Sequence, residues 1–576
     1  MMISVFPQRV NSQEIEELDD PNEAQYLDQL LDRIFQTFSI ETADSLALDE
    51  HGYSEQAILS ILEWQQQDES VGTPRWLRKQ LRGQDKILLK QDLKSAAVQT
   101  QSQFRQRLQY SASLKGWRTL NKGRIWNNQI YLNILTEQDP GEDRFTDHAV
   151  MTLSSRSVPG FDNLILGDFH VNWGGGLILN QQGSRMSLNP RSLVRQKRLL
   201  LRPHYSSREV DYFRGLAGSF SHNNTHGSAF ISRRKARGRW DGETFKEDAD
   251  GIHPMAKSFE IHTLNALGLA VETEVARLRL FGATLIHPDE PKGMEYELGL
   301  ACSPMGSHSC QIYTNSLDQN NQRILFSWMY STKPIVLSFQ YRRYNSIEEI
   351  ASGYVPTLLG ASAINETGIA FRVQIRPGKK IQIRYALETG GPEQFNSIQD
   401  YRTIQHHKAQ LVKRLEKGIL QLDLSRKLEY PVVEGSIWES RFTNLKITKA
   451  AVSLVHPFSA HLNYRVNLKS TFLNRNHALL VQQRLSGERN TWKWSIGYVR
   501  YSIPTYPMRL SVYETSVAES FSFYTAYDDG DRWFIYLKQQ AHKYVDLELK
   551  VVQTRSFDML VNSKQLALSL QMSIVL

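Results

Sequence analysis

Strict alternation of apolar and polar positions runs through most of this chain, and it is cleanest over residues 565–576. Leu566, Leu568, Leu570, Met572, Ile574 and Leu576 fall on one side of an extended backbone. Ala567, Ser569, Gln571, Ser573 and Val575 fall on the other. Successive side chains of a strand point to opposite faces, so the segment reads as a strand with one apolar and one small or polar side.

The pattern recurs upstream. Val545, Leu547, Leu549 and Val551 alternate with Asp546, Glu548 and Lys550, and Ile369, Phe371, Val373 and Ile375 with Ala370, Arg372, Gln374 and Arg376. After Pro377-Gly378-Lys379, Ile381, Ile383, Tyr385 and Leu387 alternate with Gln382, Arg384 and Ala386. That is a hairpin with both apolar faces on one side and arginines on the other. Leu462, Tyr464, Val466 and Leu468 stand against Asn463, Arg465, Asn467 and Lys469, and Trp492, Trp494, Ile496 and Tyr498 repeat the theme. Two architectures present such strands: a half-solvated antiparallel sheet, and a closed outer-membrane barrel with a wet lumen. A sandwich core does not readily hold three ionisable groups on one strand face. In lipid every backbone group must be paired, which forces a spanning sheet to close.

The pattern therefore predicts a mainly β fold, a large antiparallel transmembrane β-barrel of roughly 18–24 strands over residues 96–576. Trp328, Tyr330, Tyr341, Tyr344, Tyr524, Tyr527 and Trp533 are expected in its interfacial aromatic girdles. The terminal strand is expected at the seam, with its apolar face on lipid and Ala567, Ser569, Gln571 and Ser573 on the lumen. It ends on Leu576 where bacterial barrels usually carry an aromatic residue.

Residues 13–95 follow a different period. Leu27, Leu30, Leu31, Ile34 and Phe35 form a helical stripe, and Ala57, Ile58, Ile61 and Leu62 a second one behind Ser54 as its cap. Charge marks the same division. Residues 1–70 hold two basic groups, Arg9 and Arg33, against sixteen acidic ones, a net of −14, which leaves +22 for the rest of a chain whose total is +8. An acidic module thus precedes a basic body. Residues 1–12 are read as the tail of a signal peptide, with processing near Gln13. No apolar run is long enough for a transmembrane helix.

Candidate chemistry is sparse. Cys302 and Cys310, the sole cysteines, enclose a loop-like segment and could form a disulfide in an oxidising compartment. His308 and Met305 lie between them, but no metal or other cofactor is assigned. A glycine block, Leu164-Ile165-Leu166-Gly167-Asp168-Phe169-His170-Val171-Asn172-Trp173-Gly174-Gly175-Gly176, puts Phe169, Val171 and Trp173 on one face and Asp168, His170 and Asn172 on the other. Its glycines suggest a bulge or a close backbone approach in the lumen, not a nucleotide loop. Asp168 with Arg208, Glu209, Asp211 and Arg214 is read as a structural charge network. Arg233-Arg234-Lys235-Ala236-Arg237-Gly238-Arg239-Trp240 is the sharpest basic run and is read as a solvated loop, as is Asn223–Ser228.

The glycine block, an arginine block from Arg202 to Ala217 and Ala229-Phe230-Ile231-Ser232-Arg233-Arg234-Lys235, behind the helical module, resemble the helix-hairpin-helix domain-containing outer-membrane β-barrel proteins of Bacteroidota and relatives. The resemblance implies an outer-membrane location with a periplasmic module, and no reaction. It implies a helix-hairpin-helix loop at His51, Gly52, Tyr53 and Ser54, a motif that elsewhere offers backbone N–H groups to a nucleic-acid phosphate. Here His51 replaces the usual proline or leucine, and Glu50, Glu55 and Glu63 surround the loop, so DNA is disfavoured. The expected partners are outer-membrane lipid, lipopolysaccharide and a periplasmic protein at residues 13–95. The expected function is non-enzymatic: a channel, uptake component or assembly scaffold. The alternatives are DNA uptake and a soluble β-rich surface enzyme, although no catalytic carboxylate pair is recognisable.

Overall fold

The computed structural model describes residues 100–575 except 112–115, 128, 139–147, 180–187, 195–198, 205–211, 242–243, 248–259, 289–293, 306, 317–321, 333, 346–365, 379, 393–401, 432–444, 460, 518–522, 543 and 558–561. The signal-peptide tail, the helical module with its loop at 51–54, and Arg208, Glu209 and Asp211 lie outside the described residues.

Among the described residues, twenty-eight strands follow in chain order. The first nine are β1 (Gln101–Ser111), β2 (Gly116–Trp126), β3 (Ile130–Gln138), β4 (His148–Ser155), β5 (Asn163–Asn172), β6 (Leu200–Pro203), β7 (Phe213–His222), β8 (Thr225–Asp241) and β9 (Thr244–Glu247). Next come β10 (Glu260–Val275), β11 (Leu278–Ile286), β12 (Met294–Met305), β13 (His308–Ser316), β14 (Gln322–Ser331), β15 (Ile335–Asn345), β16 (Glu366–Gly378), β17 (Ile381–Pro392), β18 (Arg402–Leu415) and β19 (Gly418–Pro431). The last are β20 (Leu445–Ser459), β21 (Leu462–Leu473), β22 (Asn476–Arg489), β23 (Trp492–Ser502), β24 (Leu510–Tyr513), β25 (Phe523–Ala526), β26 (Gly530–His542), β27 (Val545–Phe557) and β28 (Asn562–Val575).

Twenty-six of these form one sheet, in which β6 and β9 are short additions to β5 and β8 and the other 24 form a ring. The seam is antiparallel: β28 pairs with β27 and with β1, from Gln103↔Val575 to Ser111↔Ala567. The protein is a closed, 24-stranded antiparallel β-barrel, and the terminal strand is its seam strand as its alternation predicts. Among the described residues, β24 and β25 pair only with each other.

Connection lengths orient the barrel. At the mouth where β1 begins and β28 ends, two residues suffice between neighbouring strands, as at Asn223-Asn224, Ala276-Arg277, Glu416-Lys417 and Asn490-Thr491. Asn223, Ala276 and Asn490 adopt positive φ there, the backbone that lets a two-residue turn follow the strand twist. At the opposite mouth, 40 residues separate β5 from β7 and 27 separate β23 from β26. Outer-membrane barrels keep short turns in the periplasm and long loops outside.

Burial is inverted relative to a soluble protein. On β28, Leu566 and Leu570 are 54% and 40% exposed, while Gln571 and Ser573 are 3% exposed. Leu547 on β27 is exposed and Glu548 and Lys550 are buried; Ile369 and Ile375 on β16 are exposed and Arg372 and Gln374 buried. Apolar side chains thus face outward and polar ones inward around the ring, the arrangement lipid selects.

Four expectations need correction. Tyr344 is fully buried among the inward-facing residues of β15, and Tyr524 lies on β25, where its hydroxyl donates to that of Tyr501 at 2.6 Å. Neither is in a girdle. Arg233–Trp240 is not a loop but the far part of the 17-residue β8, where Arg233 and Lys235 point outward and Arg234 inward. Asn223–Ser228 is a turn only at Asn223-Asn224; β8 has begun by Thr225.

Candidate functional site

Two of the long connections fold back into the lumen and dock on inward-facing side chains. The first leaves β5. Trp173, Leu177, Ile178 and Leu179 are completely buried, packed with Phe169, Phe230, Phe281 and Tyr313 in one apolar cluster inside the barrel. The glycine triplet makes the turn. The Gly176 N–H donates to the Trp173 carbonyl at 2.8 Å, and the Trp173 N–H to that of Leu179 at 3.1 Å.

Glu297 of β12, five strands from β5 around the ring, anchors that turn. Its carboxylate accepts from the backbone N–H groups of Gly175 (2.7 Å), Leu177 (3.0 Å) and Ile178 (3.3 Å). A run of N–H groups converging on one anionic group is a backbone nest. Only glycine fits at its tip: Gly174 has φ +48°, and a Cβ there would lie 2.4 Å from the Phe281 ring and 2.6 Å from the Glu297 carboxylate. Arg323 of β14 donates to the Leu177 carbonyl at 3.2 Å, and Gln340 of β15 to that of Leu193 at 3.2 Å. A 3-10 helix, Pro190–Leu193, rests against β14, β15 and β16 after capping by the Asn189 side chain. Described residues of the segment thus meet β12, β14, β15 and β16 before the chain returns as β6.

At its base lies the part of the predicted charge network that is described. Asp168 accepts from Arg214 at 2.5 Å and 2.9 Å and from the Met151 N–H at 2.8 Å, while Arg214 also donates to the Ala149 carbonyl at 2.7 Å. His170 Nε2 lies 2.6 Å from His204 Nδ1, and the His204 ring stacks on Tyr212. Asn172 is buried at the end of β5. Gly167, with φ +102°, faces Gly215 in register on β7. The His170–His204 contact and the His204 N–H, which donates to the Asp168 carbonyl at 2.9 Å, join the returning segment to β5, while the Asp168–Arg214 pair joins β5 to β7 within the wall.

The second inward segment, residues 503–529, carries the β24–β25 hairpin. Lys469 of β21 donates to the Ser511 carbonyl at 2.7 Å, and Gln482 of β22 to that of Tyr513 at 2.9 Å. Glu514, fully buried, accepts from Arg532 of β26 at 2.5 Å and 3.1 Å and from Lys550 of β27 at 3.0 Å. Burial alone would raise the carboxyl's pKa, but the Arg532 hydrogen bonds and charge, with Lys550, outweigh it and hold Glu514 below the usual range.

Elsewhere on the wall, Arg342 is completely buried between Glu366 (2.5 Å) and Glu388 (2.9 Å). Cys302 and Cys310 stand opposite each other in register on β12 and β13, near the short-turn mouth, with their thiols 2.6 Å apart. Among the described residues no group of three or more His, Cys, Asp or Glu could hold a metal ion.

The sequence flagged the glycine triplet but not Glu297, its partner 122 residues away. The alternation Glu295-Tyr296-Glu297-Leu298 marked it as inward-facing without saying what it meets.

No family model matches the chain, and no curated protein matches it. Solved structures similar to it include mutants of the ferric enterobactin receptor PfeA from Pseudomonas aeruginosa, one of them at 10% identity over 83% of this chain and 81% of that one with a TM-score of 0.42. The siderophore receptor PirA from Acinetobacter baumannii matches at 8% identity over 83% and 81%, TM-score 0.42. The translocation pore of the P pilus usher PapC matches at 7% identity over 83% and 99%, TM-score 0.37. The chain itself is a β-barrel of the outer-membrane type, by its ring closure and its outward apolar face.

Proposed function

We propose that the protein is a non-enzymatic outer-membrane channel or uptake component whose passage is narrowed by the two inward-folded segments. The observation that carries this reading is the Glu297 nest. A purely structural barrel has no need of an extracellular connection clamped across its lumen by a buried carboxylate. The short turns lie at the mouth where β1 begins, which supports reading that mouth, and with it residues 13–95, as periplasmic. The helix-hairpin-helix family assignment of that module, and a protein partner there, belong to this reading.

The test is conductance. The purified full chain in planar bilayers is expected to give discrete openings, and Glu297→Ala is expected to give larger or more frequent ones. Silence from both would mean a closed structural barrel.

A further inference from the structure

The outward cations of β8, Arg233 and Lys235, have no part in the lumen. On the outer wall, Leu166 of β5, Leu216 of β7, Ile231 of β8 and Leu267 of β10 are exposed and stand in register from strand to strand. From Leu267 toward the short-turn mouth, the outward positions of β10 are Leu269, Val271, Thr273 and Val275. That stretch is about as long as the roughly 9–11 residues a tilted strand needs to cross the hydrocarbon. The row from Leu166 to Leu267 is therefore the edge of the apolar band on the long-loop side.

One outward position further, the chemistry changes. The row becomes Asp168, Arg214, Arg233 and Asn265, and the next outward residues are Lys235 and Thr263. Asp168 is fully buried, and its carboxylate is already bridged by the half-exposed Arg214. Arg233 and Lys235 are exposed, and among the described residues no carboxylate pairs with either. Their partners in register on β10, Asn265 and Thr263, are neutral.

A cation on the lipid face is strongly destabilising at the bilayer midplane and hardly so at the interface, where its stem lies along apolar surface and its head reaches the polar layer. Arg233 and Lys235 are two residues apart on one strand, about 7 Å between Cα atoms. On stems of that length both heads reach a single phosphate. The guanidinium fork pairs with two phosphate oxygens, and the ammonium adds a compact positive charge.

We infer that Arg233 and Lys235, flanked by Asn265 and Thr263, hold a phosphate of the phosphorylated glycolipid of the outer leaflet, the lipid A part of lipopolysaccharide. The site lies on the lipid face and is independent of the passage. Its leaflet rests on the orientation proposed from the turn lengths; the pairing of these cations with phosphate does not.

The full chain in dodecylmaltoside micelles would be titrated with diphosphoryl lipid A, its dephosphorylated form and phosphatidylcholine, and bound lipid counted by native mass spectrometry. Diphosphoryl lipid A is expected to bind at least about tenfold more tightly than the other two. Arg233→Gln with Lys235→Gln should bring that preference to within about twofold while heat-modifiable migration is kept. Arg426→Gln, which removes an exposed cation from the outward face of β19, should leave it unchanged. Equal binding of the three lipids overturns the site and leaves the orientation standing. So does a loss in Arg426→Gln as large as in the pair, or full displacement of lipid A by excess inorganic phosphate. The leaflet is tested separately by an epitope inserted between β19 and β20, which antibody is expected to reach on intact cells. Access only after permeabilisation would turn these cations to the periplasmic leaflet, and lipid A as occupant would fall together with the orientation.

Discussion

A single carboxylate holds the tip of the first inward segment. Glu297 satisfies three N–H groups that the Gly174–Gly176 turn cannot pair internally. Glu297→Ala leaves them without an acceptor, at about 1–3 kcal/mol for each one water does not reach. The expected outcome is release: residues 173–204 become cleavable by protease added outside, while the barrel keeps its heat-modifiable migration. Gly174→Val should do the same by a different route, because its positive φ and the Phe281 and Glu297 contacts exclude a side chain. If both variants resist protease as the wild type does, the nest is not what holds the segment. The glycine triplet was legible because an uninterrupted run of glycines inside a strand pattern has few physical uses. Its partner was not, because a nest is made of backbone, and backbone leaves no residue type in the sequence to match.

Strands and inserted elements differ in the same way. β16, β17, β27 and β28 were readable because lipid on one side and water on the other impose a period of two. The described part of segment 503–529 packs on the inner wall and meets no lipid, so lipid imposes no period on it, its hairpin went unseen and Tyr524 was placed in a girdle. Tyr344 misled for a related reason: an inward tyrosine at a strand end has the sequence of an interfacial one. The hairpin's anchor is sensitive to acid. Glu514 has its pKa held low when docked, so its contribution is present above the ordinary carboxylate pKa and is lost as pH falls through the lowered value. Wild-type openings should therefore grow on acidification below the ordinary carboxylate range, and Glu514→Gln should already show the enlarged openings at neutral pH with little further change. An acid response unaltered in Glu514→Gln would place the titrating group elsewhere. The β12–β13 hairpin makes a separate prediction. Cys302 and Cys310 are in register near the short-turn mouth, which the proposed orientation turns to the periplasm, an oxidising compartment. Protein purified without reductant should take up maleimide only after reduction, and ready labelling beforehand would mean free thiols.

At the scale of the whole molecule, the ring treats the bilayer as its solvent on one face and water on the other, and neighbouring positions of one strand can test both. Leu570 of β28 points outward and is 40% exposed; Ala567, three positions earlier on the same strand, points inward. The strand is the seam, so its pairing with both β1 and β27 is needed to close the barrel. An arginine on the lipid face near the bilayer midplane costs about 2–4 kcal/mol, whereas lumen positions tolerate charge. Leu570→Arg should accordingly lower the fraction folded into lipid vesicles, read by heat-modifiable migration, and shift its urea midpoint down. Ala567→Arg, beside Val552 and Ser111 in the lumen, should fold close to wild type. A half-solvated sheet in water would respond in the opposite order: a charge added to its exposed face would be harmless, and one added to its buried face would not. The two single variants thus decide between the architectures that the terminal alternation first offered, independently of whether the lumen conducts.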